Sequence, residues 1–193
     1  AEVAINFSIP EAAVSNIKLA LDLQIPVICG TTGWLEQYEE VTTYCKSKNT
    51  AFLYASNFSV GVNLFFKINQ LVAKLMKSQS KEYTPRMQEI HHIHKLDAPS
   101  GTALTLAESL LDEKYFSEWE LDGKTDKKLN IESVREREVP GTHSITYQSQ
   151  VDSISIQHEA FNRDGFALGA VIAAEWILNK KGIYSMQDVL NIS

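Results

Sequence analysis

The first third of the chain alternates short apolar runs with amphipathic segments, and this alternation restricts the possible fold more than any other feature. The runs Val3–Phe7, Ile25–Cys29 and Ala51–Ala55 predict three buried strands. The segments between them predict two helices, whose apolar stripes are Ala13, Ile17, Ala20 and Leu21, and Leu35, Tyr38, Val41 and Cys45. Because parallel strands need crossover connections, this order favours a doubly wound parallel sheet of the α/β class.

The predicted carboxyl ends of these strands are small, polar or aromatic. They consist of Phe7 and Ser8, of Gly30, Thr31 and Thr32, and of Ala55, Ser56, Asn57 and Phe58. Ligands of open parallel sheets bind outside such ends. Gly30 and Gly33 alone would be explained by a tight turn, but three such ends in succession favour a nucleotide-like ligand. Ser8, which precedes Pro10 by two residues, is also a candidate N-cap.

From Gly61 onward the pattern changes to longer helices and then to strand-like runs. A long amphipathic helix is predicted by Phe65, Ile68, Val72, Leu75 and Met76. A second helix is expected from Thr102 to about Asp112, and the charged stretch from Asp122 to Lys128 predicts a surface loop.

Three runs near the end of this region favour an antiparallel sheet with one covered face, because apolar and polar residues alternate in them. They are Leu129–Arg137, His143–Gln150 and Ser153–His158. A last helix, Gly165–Leu178, is rich in small residues and is expected to pack back on the first sheet. We therefore predict one domain from residues 1–59 and 164–193, with residues 60–163 inserted as a second, α+β domain.

Composition excludes several classes of function. The net charge of −6 and the pI near 5.4 argue against a nucleic-acid or membrane-surface partner. Cys29 and Cys45 have neither a metal-ligand spacing nor the number expected of a disulfide scaffold, which favours a reduced, cytoplasmic protein. The residues after Ala1 do not resemble a signal peptide, and Gly165–Leu178 is too short to span a bilayer.

The segment from Glu89 to Ala103 carries the strongest chemical signal. His91, His92, His94 and Lys95 can move protons or add positive charge. They precede Ser100, Gly101 and Thr102, whose backbone N–H groups at a helix start can bind a carboxylate or phosphate. On an ideal strand His91 and Lys95 would lie roughly 13 Å apart, so the strand must bend or end soon after His91 if both contact one substrate.

A metal site is the competing interpretation. His92 and His94 would share one strand face, which is a suitable spacing for two metal ligands, with Glu89 or His91 as a possible further ligand. However, no further cluster supplies the remaining ligands, because His143 and His158 are isolated in the sequence. Any single histidine is also readily explained as a core or surface residue. Proton transfer to an acidic small molecule is therefore the favoured interpretation.

The same residues resemble the signature of the 4-hydroxy-tetrahydrodipicolinate (dihydrodipicolinate) reductase family. The similarity covers effectively the whole chain. Besides residues 89–103 it includes Asn6 to Pro10, Gly30 to Gly33, Ser56 to Gly61, Gly141 with His143, His158, Arg163, and Phe166 with Gly169 and Ala170.

The resemblance implies an NADH- or NADPH-dependent reductase of the diaminopimelate route to lysine, cytoplasmic and homotetrameric, with a Rossmann-like cofactor domain and a substrate-binding and tetramerisation domain. It assigns proton transfer to His91 and Lys95, and substrate contacts to His92, Ser100, Gly101 and Thr102. The cofactor side would be formed by Phe7, Ser8, Gly30, Thr31, Thr32, Ala55, Ser56, Asn57, Phe58 and Arg163. No resident metal is implied.

Two departures from the family pattern accompany the resemblance. The sequence contains no G-x-G-x-x-G loop for the cofactor pyrophosphate, so we expect the first part of the cofactor domain to be missing before Ala1. The region from Asp112 to Arg135 is shorter than in many relatives. Two rival functions remain: a metal-dependent hydrolase or lyase that uses His92 and His94, and a non-catalytic binder of a dicarboxylate.

Overall fold

A computed structural model describes residues 1–123, 125 and 127–192. The chain divides into two compact units. The first unit contains residues 1–63 together with the C-terminal segment from Asp164, and the second unit contains Leu64–Arg163. The division thus falls within the helix that starts at Val60, whereas the sequence placed the boundary immediately before this helix.

The elements follow one another along the chain as strands β1–β9 and helices α1–α6. In order they are β1 (Ala4–Asn6), α1 (Pro10–Asp22), β2 (Val27–Cys29), α2 (Tyr38–Lys48), β3 (Ala51–Tyr54), α3 (Val60–Lys77), β4 (Thr84–His91), α4 (Gly101–Asp112), β5 (Trp119–Leu121), β6 (Leu129–Arg135), β7 (Gly141–Gln148), β8 (Ser153–Ala160), α5 (Asp164–Trp176), β9 (Gly182–Tyr184) and α6 (Met186–Leu190). A 3₁₀ turn, Leu35–Gln37, precedes α2.

The first unit is a parallel sheet with helices on both faces. Its strand order is β1-β2-β3-β9, and each neighbouring pair is parallel. One core contains residues of α1 and α2 with Phe52, and the other contains residues of α5 with Ile28 and Leu53. The predicted α/β class and doubly wound parallel arrangement are therefore confirmed.

Local details of the first unit differ from the sequence predictions. Ile9, not Ser8, is the N-cap of α1, and no side chain caps this helix because isoleucine has no acceptor atom. Pro10 at the helix start lacks an N–H, which leaves one unpaired donor fewer. The Ser8 backbone N–H instead donates to Thr31 Oγ1 at 2.8 Å. Leu35 lies in the 3₁₀ turn and is exposed, so the α2 stripe starts at Tyr38. The short strand β9 was not predicted.

The second unit is a five-stranded sheet in the order β5-β6-β4-β7-β8. The strand that carries Glu89 and His91 lies at its centre, parallel to β6 and antiparallel to β7. The predicted antiparallel sheet is therefore wrong in part. The sheet is mixed because the chain returns from β4 through α4 to β5 and β6, which are parallel to each other, and β6 is parallel to β4. Strand β5 was not predicted. Of the expected loop at Asp122 to Lys128, Lys124 and Asp126 lie outside the described residues.

Helices α3 and α4 supply the core of the second unit. Residues of both helices pack against Met87, Ile131, Ile145 and Tyr147 of the sheet. The α3 stripe is rotated from its predicted position, because Ile68 and Leu75 are 47% and 74% exposed while Asn69 is fully buried. The Asn69 side-chain amide donates to the Leu106 carbonyl at 2.9 Å, which satisfies one polar group in this core.

None of the helices among the described residues combines the length and apolar character needed to cross a membrane.

Close packing of α5 depends on Gly169. A Cβ atom there would lie 1.7 Å from the Phe58 carbonyl oxygen, which belongs to rigid backbone. We expect Gly169→Ala to lower the free energy of unfolding by about 1–3 kcal/mol through overpacking. Urea denaturation followed by circular dichroism measures the change.

Gly165→Ala is the matched control on the same helix, since its Cβ would meet nothing closer than Ser59 Oγ at 3.6 Å. This variant should be as stable as the original chain or slightly more stable. Equal destabilisation by both substitutions would show that the contact with Phe58 is not the cause.

Candidate active site

The register of the central strand brings distant residues together in the second unit. Glu89 on β4 lies opposite Ser133 on β6 and His143 on β7, and His91 lies opposite Arg135 on β6. Because side chains alternate along a strand, Glu89 and His91 point to the same face. Glu89, His91 and His143 are all buried.

The Glu89 carboxylate is the centre of this cluster. Its Oε1 accepts hydrogen bonds from Ser133 Oγ at 2.6 Å and from the Arg135 guanidinium at 3.2 Å. Its Oε2 accepts the Ser100 backbone N–H at 3.0 Å. Burial by itself raises the pKa of Glu89, but the hydrogen bonds from Ser100 and Ser133 outweigh burial and hold this pKa below its ordinary value. The side chain is therefore an ionised, fully buried carboxylate.

Two imidazole rings flank this carboxylate. His91 Nδ1 lies 3.6 Å and His143 Nε2 lies 3.7 Å from Glu89 Oε2. The ring centroids of the two histidines are 4.9 Å apart in an edge-on arrangement. Burial lowers the pKa of both histidines, and that of His143 to about 3. His143 is therefore neutral near pH 7, and the Ser100 hydroxyl lies 3.0 Å from its Nε2.

The backbone approaches the other side of the His91 ring at Gly141. A Cβ atom at this position would lie 3.1 Å from His91 Nε2 and 3.3 Å from Cδ2. Gly141 thus leaves room beside the nitrogen that faces away from Glu89. Sequence reasoning grouped Gly141 with His143 in the family resemblance but gave neither a position beside His91.

Strand β4 ends at His91, as the proton-transfer hypothesis required, and a tethered loop follows. Lys95 Nζ forms an ion pair with Asp97 Oδ1 at 2.7 Å. Arg135 donates to the carbonyl oxygens of Lys95 and Asp97 at 3.4 and 2.7 Å. The hydrogen bond from Lys95 lowers the pKa of Asp97. Arg135 therefore connects the loop that carries Lys95 to the carboxylate beside His91.

The start of α4 completes the site. Ser100 is the N-cap, and its Oγ accepts the Ala103 N–H at 3.2 Å. Since the Ser100 N–H is bonded to Glu89, the predicted anion cradle is left with the N–H groups of Gly101 and Thr102. Gly101 is exposed, and no atom lies within 4 Å of the point where its Cβ would be.

The geometry does not favour the metal hypothesis. The rings of His92 and His94 are 6.2 Å apart, and exposed His94 lies near exposed Glu138 instead. Among the described residues the ligand-like group is Glu89, His91 and His143, whose donor atoms lie within 4.8 Å of one another. The sequence interpretation of His143 as isolated was therefore wrong. Arg135 already contacts the carboxylate of this group, and its positive charge disfavours a divalent cation there.

The predicted cofactor residues of the first unit lie at the carboxyl ends of three adjacent strands. The Phe7 ring contacts Phe58, with centroids 5.4 Å apart, and covers Gly30, where a Cβ would lie 2.2 Å from a ring carbon. Thr31 is buried and accepts the Ser8 N–H.

The remaining predicted cofactor residues differ in their surroundings. Asn57 Oδ1 accepts the Ser59 N–H at 2.9 Å, whereas Thr32 and Ser56 are exposed and Ala55 is buried. Arg163 belongs to the second unit and is exposed beyond β8.

The low pKa of His143 predicts how stability depends on pH. Its folded pKa of about 3 lies below the ordinary 6.5, so only the unfolded chain binds a proton between these values. His143 therefore costs no stability above pH 6.5, and the free energy of unfolding falls as the pH drops towards 3, by on the order of 5 kcal/mol in the limit. Chemical denaturation between pH 7 and 4 should show a shallower decline for His143→Gln than for the original chain.

Exposed His94 provides the control, since His94→Gln should leave the slope of stability against pH unchanged. Parallel slopes for the original chain and His143→Gln would contradict a neutral, buried His143.

Comparison with known proteins places the chain in a family. Residues 1–58 match the family described as dihydrodipicolinate reductase, N-terminus, and residues 61–190 match dihydrodipicolinate reductase, C-terminus. A protein of Christiangramia forsetii named 4-hydroxy-tetrahydrodipicolinate reductase is 49% identical over 98% of this chain and 80% of its own length. A protein of the same name from Pelagibacter ubique is 39% identical over 98% of this chain and 76% of its own length.

A solved structure shows the same fold. It is a dipicolinate-bound dihydrodipicolinate reductase from Paenisporosarcina, which aligns with a TM-score of 0.77 at 22% identity over 95% of this chain and 71% of its own. Both domain matches and the identity to the named relatives lead to one conclusion: the chain belongs to the dihydrodipicolinate reductase family.

Proposed function

We propose that this chain catalyses the reduction of 4-hydroxy-tetrahydrodipicolinate to tetrahydrodipicolinate with NADH or NADPH, a step in the diaminopimelate route to lysine. The observation that carries the proposal is its 49% identity, over nearly the whole chain, to a relative named for this activity. His91 beside Glu89, with Lys95 on the loop that Arg135 holds, supports it chemically, because the reduction needs a proton donor near a bound dicarboxylate.

The residues of the second unit have separate tasks in this proposal. Gly101 and Thr102 would donate backbone N–H groups to a substrate carboxylate at the start of α4, and His92 would contact the same substrate. Ser100 would shape this site through its bonds to Glu89 and His143. NADH or NADPH, when bound, would supply the hydride for the reduction.

A proton must also reach the ring, and His91 would supply it. The 4-hydroxyl group of the substrate leaves as water to give the conjugated imine, and the hydride together with the proton from His91 then completes the two-electron reduction. His91 is left neutral and is reprotonated from solvent. Lys95 would stabilise the negative charge that develops on the substrate, or would deliver the proton itself.

The first unit would hold the cofactor. Three exposed side chains, those of Phe7, Thr32 and Ser56, lie at the strand ends where doubly wound sheets bind ligands, and Gly30 lies at the same ends. An aromatic ring beside hydroxyl groups fits a planar ring with polar substituents. Arg163, the last residue of the second unit, stays a predicted cofactor-binding residue. Either NADH or NADPH is compatible with these groups.

Three further properties follow from the family resemblance and belong to the proposal. The first unit would be the dinucleotide-binding domain, and the second unit would bind substrate and form a homotetramer. The protein would act in the cytoplasm without a membrane or nucleic-acid partner. The rival function of a metal-dependent hydrolase or lyase has no support in the family matches. If the protein only bound a dicarboxylate, an assay of NADH or NADPH oxidation would show no turnover.

Substitution of the proposed proton donors should strongly lower kcat without unfolding the protein. We expect His91→Gln and Lys95→Met each to lower kcat about a hundredfold or more, the scale of lost general acid catalysis. The rate of NADH or NADPH oxidation with freshly generated substrate measures this effect. His94→Gln, a control on the same loop, should retain near-normal kcat, and normal turnover by His91→Gln would refute the assignment.

The α4 amide site can be tested without catalysis. Pyridine-2,6-dicarboxylate is a planar analogue of the substrate and should bind to the original chain in a calorimetric titration. Gly101→Pro removes one donor at the first helical position, where proline is tolerated, and Ser100 already has the extended backbone that precedes a proline. We expect its affinity to fall about tenfold or more, the cost of one hydrogen bond to a charged group.

Gly101→Ala is the matched control, because it retains the N–H and its Cβ would meet no atom within 4 Å. It should bind the analogue as the original chain does. Equal affinities of the proline and alanine variants would show that the carboxylate is held elsewhere.

A further inference from the structure

We propose that Glu89 is a positioning residue that holds His91 in the protonation state and ring orientation needed for proton donation, an inference that rests on the proposed function. Glu89 would not touch the substrate, since its side chain is fully buried. It would act only through His91 and through the start of α4.

The contacts of Glu89 place its negative charge beside one nitrogen of His91. Oε2 lies 3.6 Å from His91 Nδ1, and this nitrogen is buried without a hydrogen-bond partner among the described residues. A small adjustment of either side chain closes this distance to a hydrogen bond from Nδ1–H to Oε2. The proton on Nδ1 then leaves Nε2, on the Gly141 side, as the nitrogen that donates.

Charged groups from every neighbouring element bear on the His91 ring. Glu89 on β4 and Asp97 on the following loop favour its protonated form. Lys95 on that loop and Arg135 on β6 disfavour it. His143 on β7 is neutral and packs edge-on against the ring.

The balance of these effects explains why a carboxylate is needed. Burial lowers the pKa of His91, and Glu89 is the strongest influence in the opposite direction. Without this charge, the pKa of His91 would fall further below its ordinary value, and fewer of the rings would carry the proton that has to be donated. The hydrogen bonds from Ser133, Ser100 and Arg135 keep Glu89 ionised while His91 loses and regains its proton.

Strand register explains how Glu89 can hold both His91 and the substrate site. Glu89 lies two residues before His91 on the same face of β4. Its carboxylate accepts the N–H of Ser100, the residue before the two backbone N–H groups that are proposed to bind the substrate. One carboxylate therefore sets the distance between the proton donor and the start of α4. A glutamine at this position retains the shape and an acceptor oxygen but loses the charge.

The decisive experiment compares Glu89→Gln with Glu132→Gln, which removes an exposed carboxylate from the opposite face of β6. The pKa of His91 is measured by NMR in protein with ¹³C-labelled histidine. The chain has five histidines, so the His91 signal can be assigned by its loss in His91→Gln. Glu89→Gln should lower the pKa of His91 by about one unit or more, the effect of losing an adjacent opposite charge. Glu132→Gln should leave it unchanged.

Turnover provides the second measurement. Because His91 acts as an acid, kcat/KM should fall as the pH rises through its pKa, and Glu89→Gln should move this fall to lower pH by the same amount. Part of the activity should therefore return in acidic buffer, which a merely misfolded variant would not show. Arg135→Gln removes a positive charge and should raise the pKa of His91. This variant tests the proposal if Glu89→Gln does not fold.

An unchanged His91 pKa in both Glu89→Gln and Arg135→Gln would overturn the proposal. The NMR titration needs no substrate, so it remains decisive if the original chain reduces no 4-hydroxy-tetrahydrodipicolinate. That separate result would reject the proposed function.

Discussion

A single ionised carboxylate, buried without exposure, is the constraint on which the second unit depends. Glu89 cannot stay charged in the core unless several donors surround it, since an unpaired buried charge is strongly destabilising. The donors are three residues from two places in the chain: Ser133 and Arg135 on β6, and the backbone of Ser100 before α4. The need to satisfy this carboxylate therefore aligns the central strand, its parallel neighbour and the helix start, and these are the elements that carry the proposed catalytic groups.

The two units use strand ends in different ways. In the first unit, parallel strands place their carboxyl ends side by side, and exposed Phe7, Thr32 and Ser56 lie there without a buried charge. In the second unit, β4 ends at His91, and the chain then turns back through Lys95 to α4. The sheet thus supplies rigid positions for His91, while Lys95 lies on a loop held by Arg135.

The sequence predicted individual helices and strands better than it predicted which strands pair. The parallel sheet of the first unit followed from apolar runs and helical stripes, which depend on residues close in sequence. Helix α4 followed for the same reason, although it was predicted from Thr102 and starts at Gly101. The proton-transfer hypothesis required the strand to bend or end soon after His91, and β4 does end there. The mixed second sheet was not predicted, because β4 inserts between strands that come later in the chain. His143 was judged isolated because its partner Ser100 is 43 residues away, and the role of Glu89 is visible only in the strand register.

A measurement of the pKa of Glu89 tests the proposed organisation of the site most directly. The ¹³C resonance of its side-chain carboxyl, assigned by its absence in Glu89→Gln, can be followed from neutral pH into the acid range. Because of its hydrogen bonds from Ser133, Arg135 and Ser100, Glu89 should be charged throughout the neutral range, with a pKa below the ordinary 4.5. A pKa above this value would mean that burial outweighs the hydrogen bonds, and a Glu89 that is protonated near pH 7 would contradict the organisation of the site described above.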